Sequence, residues 1–284
     1  MNGMPHITAV IVTYNNAAML LDLLGDLFAQ SWPVDEIVVV DNASSDGTEH
    51  EVTANYPSVK YVRLPENTGS AGGYYEGIRT ASATADLIWT LDDDVRLEKR
   101  TLEFLVRGME TLQASARIGA VRCVGKDHGS PLPTELEIVP WRGALFPIDV
   151  IRAAGLPERD YFLYGEDLEF SLRLRRLGYV FFWIPASKCV EGRQGKIRFT
   201  LFGRPSEAYP ASFQLYYSFR NEVSIYLKYR YLSRLFRTLL YALKLTTYMF
   251  AVERAGRGRK ITAIARGVRD GLSHRLGRNS CYVP

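Results

Sequence analysis

The chain has 284 residues, of which 47% are apolar, 12% aromatic and 23% charged, with a formal net charge of +4. These are the proportions of a globular protein with a sizeable core, and they exclude a disordered chain, a collagen and a disulfide scaffold. The length admits one large α/β domain or a medium domain with a helical extension, because single cores rarely outgrow about 250 to 300 residues.

Met1 to His6 holds no basic segment leading into an apolar one, so a secretion signal is not expected. From there short β-branched runs alternate with amphipathic stretches, the pattern of strands joined by helices in a mostly parallel sheet. Strands are predicted at Ile7 to Val12, Glu36 to Val40, Val59 to Leu64, Leu87 to Leu91 and Ala120 to Val124. Between them, Leu20, Leu21, Leu24, Leu27 and Phe28 recur at helical spacing in Ala18 to Gln30, as do Leu102, Leu105, Val106 and Met109 in Thr101 to Leu112. After a loop with Gly125, Gly129, Pro131 and Pro133, the pattern resumes at Trp141 to Phe146, with a short helix from Asp149. A helix over Glu166 to Leu177, closed by Gly178, and a strand over Tyr179 to Ile184, stopped by Pro185, follow. From Ser212 onward the chain reads as helical.

Ligands of open α/β sheets bind outside the carboxyl ends of the strands. That singles out Thr13-Tyr14-Asn15, Asp41-Asn42, Glu66-Asn67 and Asp92-Asp93-Asp94. Three adjacent carboxylates repel one another and need a cation or several donors to offset the repulsion. Asp92 and Asp94, alternate residues of an extended segment, point the same way and suit one hard divalent ion; a solvated acidic turn before the helix at Thr101 fits the spacing equally well. Glu166, Asp167 and Glu169 open a helix, where acids suit the dipole. Three crowd where one would do, and crowding raises a carboxylate pKa toward the range of a general base. Asn67-Thr68-Gly69-Ser70-Ala71-Gly72-Gly73 reads as a small-residue loop that lets backbone amides approach a phosphate or a base. No GxGxxG follows the first strand and no GxxxxGK[ST] occurs, which disfavours classical nicotinamide enzymes and P-loop NTPases.

Taken in order, AVIVTYNN from Ala9, IVVVDNASSDGT from Ile37, ENTGSAGGYYEGIR from Glu66, WTLDDDV from Trp89 and YFLYGEDLEFSLRLRRLGY from Tyr161 resemble the successive motifs of family-2 glycosyltransferases with the GT-A fold. The resemblance covers about Ile7 to Pro185. Within the family it is closest to bacterial rhamnosyltransferases and galactofuranosyltransferases, through the N-x-G-x-A-G-G loop and the late YY-x-x-RN segment, Tyr216-Tyr217-Ser218-Phe219-Arg220-Asn221.

The resemblance implies a GT-A catalytic domain over 1–211, with a nucleotide-sugar half of about 1–125 and an acceptor half of about 126–211, followed by a basic, amphipathic helical region at 212–284. Thr13, Tyr14 and Asn15 would line the nucleotide pocket, Asp41 would accept the N3 hydrogen of a pyrimidine, and Asn67, Gly72 and Gly73 would wrap the nucleotide. Asp92 and Asp94 would hold Mg²⁺ or Mn²⁺ against the donor diphosphate, and Asp93 would touch ribose or donor sugar. Asp167 would deprotonate the acceptor hydroxyl, with inversion at the anomeric centre. Trp141, Arg142 and Glu166 are expected on the acceptor side, where core packing is the competing role for Trp141. The chemistry is consistent: a departing diphosphate calls for a cation, and in-line attack needs one base, unlike the paired carboxyls of glycoside hydrolysis.

One departure concerns the metal. Relatives often carry a ligating His after the strand that follows the Glu-Asp helix, where this chain has Glu191; His6, His50, His128 and His274 all lie elsewhere. Glu191 is read either as a third oxygen ligand or as a surface acid pairing with Lys188 or Arg193.

The tail is electrostatically separate. Tyr216 to Pro284 carries 14 Lys and Arg against Glu222, Glu253 and Asp270, a net of +11, while the preceding part is net −7. The apolar run from Leu235 to Val252 is long enough to consider a membrane span, but Arg237 and Lys244 interrupt it. An amphipathic helix on the inner membrane surface, with Arg254, Arg257, Arg259, Lys260 and Arg266 toward anionic lipid, and a helical extension packing on the catalytic domain or a second subunit fit equally. No nucleic-acid motif accompanies the charge. Cys123, Cys189 and Cys281 are widely spaced without a CxxC pair, which fits a reducing cytosol. The expectation is therefore a cytoplasmic enzyme, peripheral on the inner face of the membrane, acting on a pyrimidine nucleotide-sugar and a glycan or lipid-linked acceptor. A sugar-phosphate nucleotidyltransferase is the alternative, although Thr13-Tyr14-Asn15-Asn16 stands where its Gly-rich, Arg-bearing loop belongs. An inactive carbohydrate- or membrane-binding homologue would show damaged carboxylates, whereas Asp92, Asp94 and Asp167 are intact.

Overall fold

The two faces of the strands set the architecture. A computed structural model describes residues 4–81, 83–125, 130–190, 197–201, 204–208, 211–252 and 256–283. The chain divides into two compact units, Met1–Glu158 with Phe170–Gly192, and Arg159–Glu169 with Arg193–Pro284. The second unit takes in Arg159–Glu169 and residues 193–211 together with the helical region 212–284.

In the first unit β1 (Ile7–Thr13), α1 (Ala17–Phe28), β2 (Glu36–Asp41), α2 (Thr48–Asn55), β3 (Lys60–Arg63), α3 (Gly69–Ala81) and β4 (Leu87–Asp92) are successive βα units. After them come β5 (Arg96–Leu97), α4 (Thr101–Gln113), β6 (Ile118–Val124), β7 (Thr134–Leu136), β8 (Ala144–Pro147) and α5 (Ile148–Ala154). Next is α6 (Glu166–Arg176), whose first residues belong to the second unit, and then β9 (Val180–Val190). The sheet order is β3-β2-β1-β4-β8-β6-β9-β5, with β7 on β9. The first four strands of that order are parallel, and β8 runs antiparallel between β4 and β6.

Successive side chains of a strand alternate between faces. Ile7, Ala9 and Ile11 of β1 therefore join one core with Leu20, Leu24 and Leu105, while Val10 joins the other with Val38, Val40, Tyr74 and Ile78. On that second face α3 lies close to β1 through glycine. A Cβ on Gly73 would stand 2.4 Å from Val12 Cγ1, and one on Gly77 would stand 2.4 Å from Val10 Cγ1.

The predicted elements are present with shifted ends, and the strand expected to stop at Pro185 runs on past it. β9 continues through Pro185 to Val190, because a register shift opposite Arg122 and Val124 takes that stretch out of the regular ladder, where a residue without an N–H is tolerated.

The second unit holds a hairpin of β10 (Ile197–Leu201) and β11 (Arg204–Ala208), then α7 (Ser212–Lys228), α8 (Leu232–Ala251) and α9 (Arg257–Leu272). Gly267 and Gly271 bring α9 against the backbone of α7: a Cβ on either would stand 2.6 Å from the Tyr216 carbonyl or 2.5 Å from that of Arg220. Tyr216, Tyr217, Phe219, Leu245, Met249 and Ile264 fill the core between the helices. Among the described residues no helix is long and apolar enough to cross a membrane.

Candidate active site

Strand register collects the sequence-predicted residues of the first unit. Thr13 pairs with Asp41 and Asp41 with Arg63, while Val12 pairs with Asp92. The carboxyl ends of four neighbouring strands thus form one row, where ligands of such sheets bind.

Asp41 is entirely buried in this row. Arg63 Nη1 donates to its Oδ2 at 2.6 Å and the Ser44 amide to its Oδ1 at 2.9 Å. Arg63 Nη2 also donates to the Ser44 carbonyl at 2.8 Å. Both oxygens are engaged, so a pyrimidine N3–H would have to share them through their second lone pairs. The motif reading missed Arg63 and Ser44; the signal for Arg63 was its register opposite Asp41.

The turn after β1 is fixed by its own polar groups. Asn15 has a left-handed φ of 51°; its amide donates to Ser44 Oγ at 2.8 Å and its Oδ1 accepts from the Ser45 amide at 2.7 Å. Tyr14 stands exposed beside it. Asn42 ties the end of β2 to the start of α3: its Oδ1 accepts from the Thr68 amide at 3.0 Å and its Nδ2 donates to the Gly69 carbonyl at 3.2 Å. Asn67 Oδ1 accepts from the Gly69 amide at 2.8 Å. Gly72 and Gly73 are buried within α3 rather than in a loop, and the approach of Thr68 and Val12 explains why each must be glycine.

The acidic triplet is separated by its donors. Tyr74 Oη donates to Asp92 Oδ1 at 2.6 Å and Arg142 Nε to Asp92 Oδ2 at 3.0 Å. Thr13 Oγ1 donates to Asp93 Oδ2 at 2.6 Å and Asn16 Nδ2 to Asp93 Oδ1 at 2.9 Å. Burial pushes the Asp93 carboxyl up to about 6, with Asp92 and Asp94 acting in the same sense against these two hydrogen bonds. Asp94 is half-buried beside them. Asp93 is thus tied to the end of β1, and Arg142, expected on the acceptor side, donates to Asp92. Trp141 is also core: it is buried and stacks on Tyr74 at 5.2 Å and 27°, with Phe146 and Phe170 against it. Glu191 lies outside the described residues.

In the second unit the acids that open α6 follow a strained turn. Phe162 and Tyr164 take left-handed φ values of 64° and 62°, ahead of Gly165 at 91°; for a non-glycine residue this costs on the order of 1 to 3 kcal/mol. Glu166 is buried, Asp167 is partly exposed, and Glu169 is fully buried. Lys228 Nζ and Tyr229 Oη donate to Glu169 Oε1 at 2.8 and 2.6 Å. The crowding of acids is therefore relieved for Glu169 by an ion pair, which leaves Asp167 as the more accessible of the Glu-Asp pair.

Residues 8–155 match the family model for glycosyl transferase family 2. The chain belongs to this family. It is 27% identical over 202 residues to galactofuranosyltransferase GlfT1 of Mycolicibacterium smegmatis, covering 62% of this chain and 67% of that one. The Mycobacterium tuberculosis GlfT1 is 29% identical over 199 residues, 61% and 66% of the two chains. The matched part thus spans about two thirds of these relatives. An undecaprenyl-phosphate mannosyltransferase of Micrococcus luteus is 27% identical over 61% of this chain and 79% of its own. Among solved structures, a mannosyltransferase from Pyrobaculum calidifontis in complex with GDP-Man and Mn²⁺ aligns with a TM-score of 0.61 at 18% identity, over 96% of this chain and 89% of that one. The TarS 1–349 structure from S. aureus aligns with a TM-score of 0.59 at 14% identity, over 95% and 82%. The protein is a family-2 glycosyltransferase with the GT-A fold, and the nucleotidyltransferase alternative gives way to that assignment.

Proposed function

We propose that this glycosyltransferase moves a sugar, with inversion, from a pyrimidine nucleotide-sugar to a glycan or lipid-linked acceptor in bacterial cell-surface polysaccharide synthesis. The donor class is dTDP-rhamnose or a UDP-sugar such as UDP-galactofuranose. The observation that carries the reading is the acidic triplet Asp92-Asp93-Asp94 at the carboxyl edge of the parallel strands, beside Thr13 and Asp41. The name of the mycobacterial relatives, galactofuranosyltransferase, supports the donor class, and that of the Micrococcus relative, an undecaprenyl-phosphate mannosyltransferase, supports a lipid-linked acceptor.

Asp92 and Asp94 offer hard carboxylate oxygens, the donor type that Mg²⁺ and Mn²⁺ take, and such ions complete their shells with water and substrate phosphates. Among the described residues no group of three or more His, Cys, Asp or Glu is gathered for a metal; the proposed ligands are Asp92 and Asp94, with Glu191 a further candidate. When bound, the ion neutralises charge on the departing diphosphate. Arg142 and Tyr74 orient Asp92, and Thr13 and Asn16 hold Asp93 at the nucleotide side. Tyr14, Asn15 and Asn67 line the nucleotide, and Asp167 takes the proton from the acceptor hydroxyl.

The same reading places the enzyme at an anionic membrane surface. On α8, Leu232, Phe236, Leu240, Leu243 and Phe250 are between 48% and 66% exposed, and their spacing puts them on one stripe of the helix. Arg257 and Arg259 at the start of α9 are exposed as well. An apolar stripe with a basic surround is the composition of an interfacial helix; association of two copies through this stripe is the rival. A binding screen of sugar nucleotides with and without Mn²⁺ tests the donor assignment. Metal-dependent binding of UDP- or dTDP-sugars is expected, and a preference for GDP-sugars would overturn it.

A further inference from the structure

Donor and metal binding leave the Arg220-Asn221 pair of the YY-x-x-RN segment unexplained. Both residues are fully buried on α7. Arg220 Nη2 donates to the Tyr161 carbonyl at 2.7 Å, Nη1 to the Gly277 carbonyl at 2.5 Å, and Nε to Asn221 Oδ1 at 2.8 Å. Asn221, oriented by that last bond, donates through Nδ2 to the carbonyls of Tyr161 at 2.9 Å, Leu163 at 2.8 Å and Tyr164.

Those carbonyls belong to the turn in which Phe162, Tyr164 and Gly165 take left-handed φ values. Such a backbone persists only where its surroundings over-determine it. Packing adds to the hydrogen bonds: a Cβ on Gly165 would stand 3.1 Å from Asn221 Cβ and 3.2 Å from Ile225 Cδ1. The Gly165 carbonyl then accepts from the Glu169 amide at 2.8 Å, the first turn of α6. Beyond the Glu-Asp pair, Lys228 and Tyr229 grip Glu169. α7 and its C-terminal cap thus hold the chain on both sides of Glu166-Asp167.

We propose that Arg220 and Asn221 are positioning residues: they lock the Tyr161–Gly165 turn and so set the direction in which Asp167 leaves the start of α6. This rests on Asp167 being the base. A small misplacement of a catalytic group costs up to about 10²-fold in rate.

The test is a cycle of wild type, Asn221→Ala, Asp167→Asn and the double variant, assayed for kcat, donor KM and the pH profile of kcat per folded molecule. Asn221→Ala is expected to lower kcat by about 10- to 100-fold, keep donor KM near wild type and move the acid limb of the pH profile. In the Asp167→Asn background it is expected to add little, because residues acting through one group are not additive. Unchanged kcat and pH profile in folded Asn221→Ala, beside a crippled Asp167→Asn, would overturn the positioning role. A full multiplicative loss in the double variant would do the same. Undiminished kcat in Asp167→Asn would instead remove the base assignment. If Asn221→Ala does not fold, Asn221→Ser, which keeps one donor, is read by the same criteria.

Discussion

Arg63 Nη1 meets the buried Oδ2 of Asp41 at 2.6 Å, across the registered ends of two parallel strands. Asp41 has no exposed surface, so its charge is stabilised by this guanidinium and by the Ser44 amide. Arg63→Ala is expected to destabilise the fold by about 1 to 3 kcal/mol, the range for a buried polar group that loses a partner. Adding Asp41→Asn should restore part of the loss. Urea unfolding with an unchanged slope checks both.

Gly77→Val is expected to push α3 away from β1, because the new side chain would begin 2.4 Å from Val10 Cγ1. Overpacking of this kind costs about 1 to 3 kcal/mol, read as a lower Tm, while Gly47→Ala, with open space at a φ of 86°, reports backbone strain alone.

These glycines mark a limit of legibility. In the sequence, ligand approach and close packing both demand a missing Cβ, so Gly72 and Gly73 read as part of a small-residue loop, while the structure places both in α3, against Thr68 and Val12. The strands, the acidic triplet and the Glu-Asp helix were legible because β-branched runs and clustered carboxylates are local signals. The partners of the carboxylates were not: Tyr74 and Arg142 lie 18 and 50 residues from Asp92, and only the sheet order brings them together. Core packing was one of the two roles open to Trp141, and the stacking of Tyr74, Phe146 and Phe170 on it was illegible because only the fold brings those rings together.

Glu222 predicts a pH dependence. Its carboxyl lies in the wall of a cavity of about 120 Å³ with Leu215, Phe219, Tyr241 and Leu245; desolvation raises its pKa, and a hydrogen bond from Thr238 Oγ1 at 2.8 Å opposes this. A folded-state pKa above the unfolded one means that stability is full below the unfolded value and falls as pH rises through the folded one. Glu222→Gln should therefore raise Tm at pH 8 and leave it unchanged near pH 3.5. Thermal unfolding at the two pH values checks the difference.

The stripe on α8 predicts lipid binding. Wild type should co-sediment with anionic vesicles and release as salt rises, and Phe236→Ser with Leu243→Ser should abolish binding without changing catalysis in solution. Absence of wild-type binding, together with a dimer that the same substitutions convert to monomer, would assign the stripe to self-association.

Metal-dependent donor cleavage is the most direct measurement. UDP- and dTDP-sugars are supplied with Mn²⁺, and release of nucleoside diphosphate is followed before EDTA, after it, and after Mn²⁺ is restored, for wild type and Asp94→Ala. Turnover is expected with Mn²⁺, lost in EDTA, recovered on restoring the ion, and at least about 100-fold lower in Asp94→Ala, the scale on which removal of a group that stabilises transition-state charge acts. Undiminished turnover in EDTA, or wild-type turnover by Asp94→Ala, would contradict a divalent ion held by Asp92 and Asp94.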